Sequence, residues 1–233
     1  MTTGVSVFLT SHNKCSYVLD ALQSVWNQVR EDWELWLLEN STDEGRTRCI
    51  IDDWLVDKGY DGDPRLHYEV LDDVPRDGSV YVTTWLLNQY YPRANGEHVF
   101  YLADDDVIDP DCFKAMAGVL DDNPAISAVY AGMRHLTVCQ PGDVTAGDIG
   151  IGADVVRGPD AVDCCIDGGQ VMHRKSCLDK LTQPYFHELL DPTVTRHCDG
   201  IFLKRIAEHF PFYPIPRYLV THRFTPSSTW TQG

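Results

Sequence analysis

Short apolar runs alternate with amphipathic segments along the first half of the chain. Four runs rich in β-branched and aromatic residues have the length of strands, at residues 5–10, 34–39, 66–70 and 99–103. Between them, apolar residues recur at helical spacing, which predicts helices from residue 17, around residues 50–55 and over residues 79–91. Because strands that alternate with helices pair in parallel, we expect an α/β fold. It would be an open, mostly parallel mixed sheet with helices on both faces, built as a single domain.

Polar residues follow the first two strands, where helices are expected to begin. Asn13 or Ser16 is placed to cap the first helix, and the stretch from Asn40 to Asp43 is placed to cap the second. A strand, a polar turn and a helix in this order are the opening of a βαβ unit.

The alternation becomes less regular in the second half of the chain. A helix is expected from Pro110 to about Asn123, followed by a fifth strand over residues 125–131. Residues 132–163 are rich in glycine and acids, which predicts a long, flexible loop of the kind that often covers a site. Beyond it the pattern predicts a strand at 166–174, a helix at 199–209, a strand at 218–220 and a polar tail.

Composition and charge exclude some classes of partner. The chain has 233 residues with 43% hydrophobic content, enough for a full core, and a formal net charge of −16. Such a charge argues against nucleic acid and anionic membranes, whose phosphates are bound by Lys and Arg. No signal peptide or membrane span is evident, so we expect a cytoplasmic protein whose eight cysteines are thiols. A zinc site is disfavoured because no CxxC pair occurs.

Three consecutive carboxylates, Asp104, Asp105 and Asp106, directly follow the fourth strand. In an α/β sheet, ligands bind beyond the carboxyl ends of the strands. Adjacent carboxylates repel one another, and the nearest cation along the sequence is Lys114. A divalent cation, Mg²⁺ or Mn²⁺, would neutralise them with hard oxygen ligands. The alternative is a solvated acidic turn that caps the next helix, and the triplet alone does not decide between the two.

Six motifs together resemble the family-two glycosyltransferases of GT-A fold, over nearly the whole chain. They are VSVFLTSHN, LENSTD, GEHVFYLADDDVIDPD, the glycine pair before VMHR, the acid in HCDGIFLKRI, and a late HR followed by serines. The resemblance is strongest to the small bacterial enzymes of the spore-coat polysaccharide type. None of the motifs is specific for this family by itself, but their order and spacing together are.

The resemblance implies a donor site for a nucleoside diphosphate sugar, most simply a UDP-sugar. Asp104 would hold the ribose, and Arg76 lies in a loop that would reach the nucleotide. Glu39 replaces the family's usual Asp, which leaves the identity of the base open. The remaining residues expected at the base and ribose are Thr10, His12 and Asn13.

The resemblance also implies the chemical groups of the reaction. Asp105 would bind Mn²⁺ or Mg²⁺, with Asp106 and His222 as further metal-site residues, because a metal stabilises the departing diphosphate. Arg223 belongs to a late segment that would close over the pyrophosphate. Gly168 and Gly169 would allow close approach to donor or acceptor sugar. Asp199 would be the base that takes the acceptor's proton, although in isolation it is an ordinary helix cap.

The sequence therefore predicts a metal-dependent inverting glycosyltransferase acting on a small-molecule, saccharide or peptide acceptor. Residues 1–106 would form the nucleotide-binding half and residues 107–233 the acceptor half, with residues 221–233 as a closing segment. A sugar-phosphate nucleotidyltransferase is the alternative enzyme, but TSHNKCSYV lacks the glycines of a triphosphate loop. A phosphatase with an Asp nucleophile would carry its acids on the first strand. A non-catalytic nucleotide- or carbohydrate-binding protein with this fold also stays open.

Overall fold

A mixed β-sheet forms the centre of the fold. The computed structural model describes residues 4–138, 144–148, 154–162, 166–186 and 198–225. The strands of these residues are β1 Val5–Ser11, β2 Trp33–Glu39, β3 Leu66–Val70, β4 His98–Ala103, β5 Val107–Ile108, β6 Ala128–Val138, β7 Val144–Asp148, β8 Val171–Arg174 and β9 Phe212–Phe224. The helices are α1 Val18–Trp26, α2 Arg46–Lys58, α3 Val82–Tyr90, α4 Cys112–Asp122, α5 Pro159–Val162 and α6 Cys198–Ala207.

The first half of the chain forms the parallel part of this sheet. Strands β3, β2, β1 and β4 are neighbours in that order, and every pair is parallel. Chain order reverses between β1 and β4, so their carboxyl ends flank a topological switch point, where α/β folds bind ligands. The predicted α/β class, the parallel pairing and the single domain are confirmed.

The second half adds antiparallel strands beside β4. Strand β8 pairs antiparallel with β4 and with the start of β6, while β7 pairs with the end of β6. The long strand β9 runs parallel to β6 and also pairs with the short β5 that follows the acidic turn. These pairings carry the C-terminal strand to the carboxyl end of β4.

Two hydrophobic layers cover the two faces of the sheet. Val7 and Leu9 of β1 pack in one layer with α1, α2 and α4, whereas Phe8 between them packs in the other layer with Leu86 and Tyr91. Every residue of β1 and β2 is buried. Burial on both faces explains why these strands read as continuous apolar runs rather than as alternating patterns.

The loop predicted over residues 132–163 is wrong for much of its length. Residues 132–138 continue β6, and Val144–Asp148 forms β7 in an antiparallel pair with it. Gly132 lies where the register of β6 against β9 shifts, so the glycine marks a β-bulge and not a loop. Residues 139–143, 149–153 and 163 lie outside the described residues.

Three smaller predictions also need correction. Neither Asn13 nor Ser16 caps α1, because its first residue is preceded by Tyr17 without a side-chain cap. The strand expected at residues 166–174 is confined to β8, since residues 168–170 form a 3₁₀ turn. The expected polar tail at residues 221–224 belongs to β9, where it pairs with β6. The prediction for α2 holds only in part: its N-cap is Gly45, without a side-chain cap, but Asp43 of the predicted stretch accepts the backbone N–H of Thr47 in the first turn.

Candidate active site

A cleft of about 490 Å³ opens at the carboxyl ends of β1 and β4. Its walls include the turn after β1, the first half of α3 with the residues before it, the acidic turn after β4, the 3₁₀ turn before β8, the start of α6 and the end of β9. Most of the predicted site residues line it: Thr10, His12, Asp104, Asp105, Asp106, Gly168, Gly169, Asp199 and His222.

The three carboxylates after β4 are buried at the edge of this cleft. Asp104, Asp105 and Asp106 are 8%, 7% and 2% exposed, so the alternative of a solvated acidic turn is wrong. They do not cap the next helix either, because α4 begins at Cys112 after Asp111. Burial and the neighbouring charge of Asp105 raise the pKa of Asp104 to about 8, although the backbone N–H of His12 binds its Oδ2 at 2.7 Å. Crowded, desolvated oxygens of this kind are a donor set that favours a bound cation.

Lys14 supplies a positive charge to the acidic turn. The sequence analysis did not predict this contact, because the two lie far apart along the chain. Its Nζ lies 2.6 Å from Oδ2 of Asp105 and 2.9 Å from Oγ1 of Thr225. The side chains of Lys14 and Asp105 are 11% and 9% exposed. Lys114, the nearest cation along the sequence, is exposed on α4 instead. Lys14 was recognisable in principle: it follows β1, and parallel neighbours such as β1 and β4 end at the same edge.

His222 forms the second charged contact with the acidic turn. Its Nδ1 lies 2.9 Å from Oδ1 of Asp106, which also accepts the backbone N–H of Arg223 at 3.1 Å. Burial disfavours the imidazolium, but the hydrogen bond and the charge of Asp106 outweigh it and raise the pKa of His222 to about 9. His222 is therefore positively charged at neutral pH and donates to Asp106.

The oxygens of Asp105 and Asp106 fit Mg²⁺ or Mn²⁺, which prefer hard oxygen ligands. Among the described residues, a compact group of acidic and histidine ligand atoms occurs elsewhere, at Glu97, His98 and Asp121. That group lies at the opposite end of β4, where Arg30 already neutralises Asp121 at 2.6 Å. It is accounted for as a structural ion-pair cluster.

Asp199 faces the acidic turn across the cleft from the first turn of α6. Its Oδ2 accepts the backbone N–H of Gly168 at 3.0 Å, so the turn before β8 holds the carboxylate. A Cβ on Gly168 would lie 3.1 Å from the Cβ of Asp199, so a larger residue there would require one of the two to shift. The isolated helix-cap interpretation of Asp199 does not account for this contact.

Asp167 is a cleft residue that the sequence analysis missed. Its Oδ1 accepts the N–H of Gly169 at 2.8 Å, and with Gln170 it forms a capping box around the glycine pair. Burial and the charge of Asp199 raise its pKa to about 7. An Asp directly before Gly-Gly is a turn-capping signal, and that signal was present in the sequence.

Four predicted contact residues do not line the cleft. Glu39 is fully buried, with Oε1 accepting the N–H of Ser41 at 2.7 Å. Asn13 accepts the N–H of Thr42 at 2.7 Å, and Arg76 donates to the carbonyl of Asn40 at 2.9 Å. These three side chains hold the loop after β2 in place. The fourth, Arg223, forms an ion pair with Asp20 at 2.8 Å and lies over the ring of Tyr17.

Known proteins offer comparisons for both the sequence and the fold of this chain. No model of a known protein family matches the chain. It is 30% identical over 226 residues to the protein CgeD of Bacillus subtilis, covering 96% of this chain and 51% of CgeD. The chain thus spans about half the length of this curated relative.

Two solved structures are similar over nearly the whole chain. S. aureus TarS 1-349, in complex with UDP-GlcNAc, has a TM-score of 0.68 at 14% identity, covering 99% of this chain and 61% of TarS 1-349. The mannosyltransferase PcManGT of Pyrobaculum calidifontis, in complex with GDP-Man and Mn²⁺, has a TM-score of 0.59 at 17% identity, covering 94% and 56%. At these identities the likeness establishes the fold, which is the predicted GT-A fold.

Within the described residues, no helix is long and apolar enough to span a bilayer.

Proposed function

We propose that this chain of GT-A fold is a metal-dependent inverting glycosyltransferase that uses a nucleoside diphosphate sugar. One observation carries the proposal: the buried carboxylates of Asp105 and Asp106 face the carboxylate of Asp199 across one cleft. Such a cleft offers a cation site for the leaving diphosphate on one wall and a proton acceptor on the other.

The donor end of the cleft is the edge beside β1. Thr10 and His12 line it, and the N–H of His12 fixes Asp104 in place. The complexes of the similar structures with UDP-GlcNAc and GDP-Man support a nucleotide-sugar donor. We propose a UDP-sugar, bound mainly by residues 1–106, with the acceptor bound mainly by residues 107–233.

Mn²⁺ or Mg²⁺ would be held by oxygens of Asp105 and Asp106. The ion would neutralise the charge that develops on the diphosphate as it leaves. His222, whose Nδ1 lies 2.9 Å from Oδ1 of Asp106, would be a further residue of this metal site. Lys14, which shares Asp105 with Thr225, would lie beside the same phosphates as a further positive charge.

Asp199 would accept the proton of the attacking hydroxyl. The N–H of Gly168 donates to its Oδ2, so Oδ1 would be the oxygen that takes the proton. The acceptor oxygen forms its bond to the anomeric carbon while the bond from that carbon to the diphosphate oxygen breaks, and Asp199 takes the proton. A single displacement of this kind inverts the anomeric centre.

The first experiment is calorimetric titration of UDP, GDP, ADP and TDP with Mn²⁺ and with EDTA. Wild type is compared with Asp105→Ala and with Asp122→Ala, which removes an exposed carboxylate from the end of α4. We expect one nucleotide to bind in the presence of metal, and only Asp105→Ala to abolish that binding. Failure of every nucleotide to bind would contradict the proposal, and metal-dependent binding without any transfer would favour a non-catalytic binding protein.

We further propose that the protein acts in the cytosol. Cys15, Cys49, Cys112 and Cys177, the cysteines whose side chains are described, are free thiols. Free thiols are typical of a reducing compartment. Thiol titration of protein purified without reductant tests this, since formation of disulfides within the folded chain would argue for an oxidising compartment.

A further inference from the structure

The 3₁₀ turn before β8, Gly168–Gln170, lies where the walls of the cleft meet. It packs against β4, β6, β9 and α6 at once. Two of these elements carry the groups of the proposed reaction, since the acidic turn follows β4 and Asp199 lies in the first turn of α6. A shift of the 3₁₀ turn would therefore be felt at both walls.

Each glycine of this turn lies against one wall. The N–H of Gly168 donates to Oδ2 of Asp199 at 3.0 Å, on the side of the proposed base. A Cβ on Gly169 would lie 3.8 Å from Oδ2 of Asp106, on the side of the proposed cation site. The Cα atoms of two consecutive residues are about 3.8 Å apart. The glycine pair is therefore a short spacer between the base and the cation site.

The side chains of Asp167 and Gln170 hold the glycine pair in a capping box. Oδ1 of Asp167 accepts the N–H of Gly169 at 2.8 Å, and Oε1 of Gln170 accepts the N–H of Asp167 at 2.9 Å. The N–H of Gln170 also donates to the carbonyl of Asp167 at 3.0 Å. These hydrogen bonds restrict two glycines whose backbone would otherwise have wide conformational freedom.

Gln170 also fastens the turn to the central sheet. Its Nε2 donates to the carbonyl of Ala131 in β6 at 2.8 Å, and the residue is only 5% exposed. The oxygen of this buried amide thus serves the turn, and its nitrogen serves the sheet. The spacer is therefore fixed relative to the strands that carry the acidic turn.

Asp167 lines the cleft, yet the hydrogen bond that its side chain accepts is that of a cap. Capping needs an acceptor oxygen in the place of Oδ1, and the amide of Asn supplies one as a carboxylate does. A second base, or a ligand for a substrate cation, would need the negative charge instead. Replacement of Asp167 by Asn therefore separates these roles.

We propose that Asp167 and Gln170 are positioning residues: their capping box fixes the glycine pair, which holds the carboxylate of Asp199 at a set distance from the cation site. This inference rests on the proposed function, because it takes Asp199 as the base. Asp167 acts in it through its hydrogen bond and not through its charge. A base misplaced by about 1 Å loses roughly 100-fold in rate, so the capping box affects catalysis without touching substrate.

Two variants of Asp167 test the cap against the charge. Asp167→Ala removes the acceptor for Gly169, whereas Asp167→Asn keeps an acceptor oxygen. Release of UDP from UDP-glucose, UDP-galactose and UDP-N-acetylglucosamine is followed with Mn²⁺, with water in the place of the acceptor. We expect Asp167→Ala to lower kcat roughly 100-fold at unchanged KM, and Asp167→Asn to stay within about threefold of wild type. Equal losses in the two variants, or full activity of Asp167→Ala, would overturn the proposal.

A variant of the other half of the box tests the link to the sheet. Gln170→Met keeps the length of the side chain but removes its hydrogen bonds to the turn and to Ala131. It should lower kcat as Asp167→Ala does, because the turn is no longer fastened to β6. Asp179→Ala, at an exposed position after β8, is the matched control and should leave kcat unchanged. A fully active Gln170→Met protein would show that the box does not position Asp199.

Hydrogen exchange of the glycine amides tests the same contacts without any donor. In ¹⁵N-glycine-labelled protein, the N–H of Gly168 should exchange slowly in wild type and in Asp167→Asn. In Asp167→Ala it should exchange as quickly as that of the exposed Gly62, which makes no hydrogen bond among the described residues. Fast exchange at Gly168 in the wild type would overturn the proposal even if no variant folds. Absence of UDP release by wild type would instead count against the proposed function, and the amides would then decide alone whether the box holds Asp199.

Discussion

The ammonium of Lys14 lies 2.6 Å from Oδ2 of Asp105, although 91 positions separate the two residues. Both side chains are largely buried, so neither charge is well hydrated and each is neutralised by the other. Asp105 is also the carboxylate that we propose to bind the metal. The stability of the fold and the affinity for metal therefore both depend on this ion pair.

Lys14→Met is expected to destabilise the protein and to increase its affinity for Mn²⁺. Removing one partner of a buried ion pair leaves the other charge uncompensated, at a cost of about 3 kcal/mol. Mn²⁺ alone should bind Lys14→Met more tightly than wild type and recover part of that loss. Urea unfolding with and without Mn²⁺ measures both effects.

Lys114→Met is the matched control, because Lys114 is exposed on α4. It should leave unfolding and Mn²⁺ affinity unchanged. Equal or weaker Mn²⁺ binding by Lys14→Met would show that Lys14 does not compete with the cation. Absence of Mn²⁺ binding in both proteins would instead count against the metal site itself.

Asp199→Asn is expected to slow transfer strongly while it leaves nucleotide binding intact. The amide oxygen of Asn can still accept the N–H of Gly168, but it cannot take a proton from the acceptor. General-base catalysis contributes roughly 10²–10⁴-fold, so turnover should fall by that factor. Transfer rates measured with the cognate donor test the loss of turnover. The calorimetric affinity for the nucleotide tests whether donor binding is retained. A loss of less than tenfold would exclude Asp199 as the base.

Gly168→Ala should impair catalysis through the position of Asp199. The added Cβ would lie 3.1 Å from the Cβ of Asp199, so the carboxylate or the 3₁₀ turn must shift. A displaced base lowers turnover strongly, and we expect a loss of roughly 100-fold, with little change in nucleotide affinity.

Gly118→Ala offers the contrast, because its Cβ would meet nothing within 4 Å on α4. That change should stabilise the protein by about 0.5–1 kcal/mol, as Ala replaces Gly in a helix. Full activity of Gly168→Ala would mean that the close approach to Asp199 has no catalytic importance.

Stability should fall as pH rises through the neutral range. The pKa of His222 is raised from 6.5 to about 9 in the folded protein, so its contribution is complete below pH 6.5 and disappears as pH rises through 9. Burial raises the pKa values of Asp104 and Asp167 to about 8 and about 7, so ionising them also costs folding energy as pH rises. All three groups bind more protons in the folded state.

Urea unfolding between pH 6 and 9.5, in EDTA, measures this dependence. The free energy of unfolding should fall less over that pH range in His222→Gln than in wild type. The difference between the two proteins should be up to about 3 kcal/mol. His209→Gln, at an exposed position after α6, should follow wild type. A His222→Gln protein whose stability changes with pH as steeply as wild type would disprove the ion pair with Asp106.

Local chemistry explains which parts of the fold were predictable. The apolar runs of β1, β2 and β4 and the helical spacing of α1 are short-range patterns, and burial on both faces made them conspicuous. By contrast, residues 132–138 of β6 and all of β7 lie in the stretch predicted as a loop, because glycines and acids are frequent there. Pairing of β6 with β9 and of β7 with β6 decided their structure, and no short window of sequence contains that information.

The sequence by itself determined the class of fold and the position of the acidic turn at a strand end, because both depend on residues close together in the chain. It also placed Asp199 at the start of a helix. Only the tertiary structure decided how these charges are neutralised: Lys14 reaches Asp105 between the parallel strands β1 and β4, and His222 reaches Asp106 from β9, which pairs antiparallel with β5. The same long-range packing withdrew Glu39 from the cleft and added Asp167. Contacts of this kind depend on which strands are neighbours and how deeply a side chain is buried, and both are properties of the folded chain.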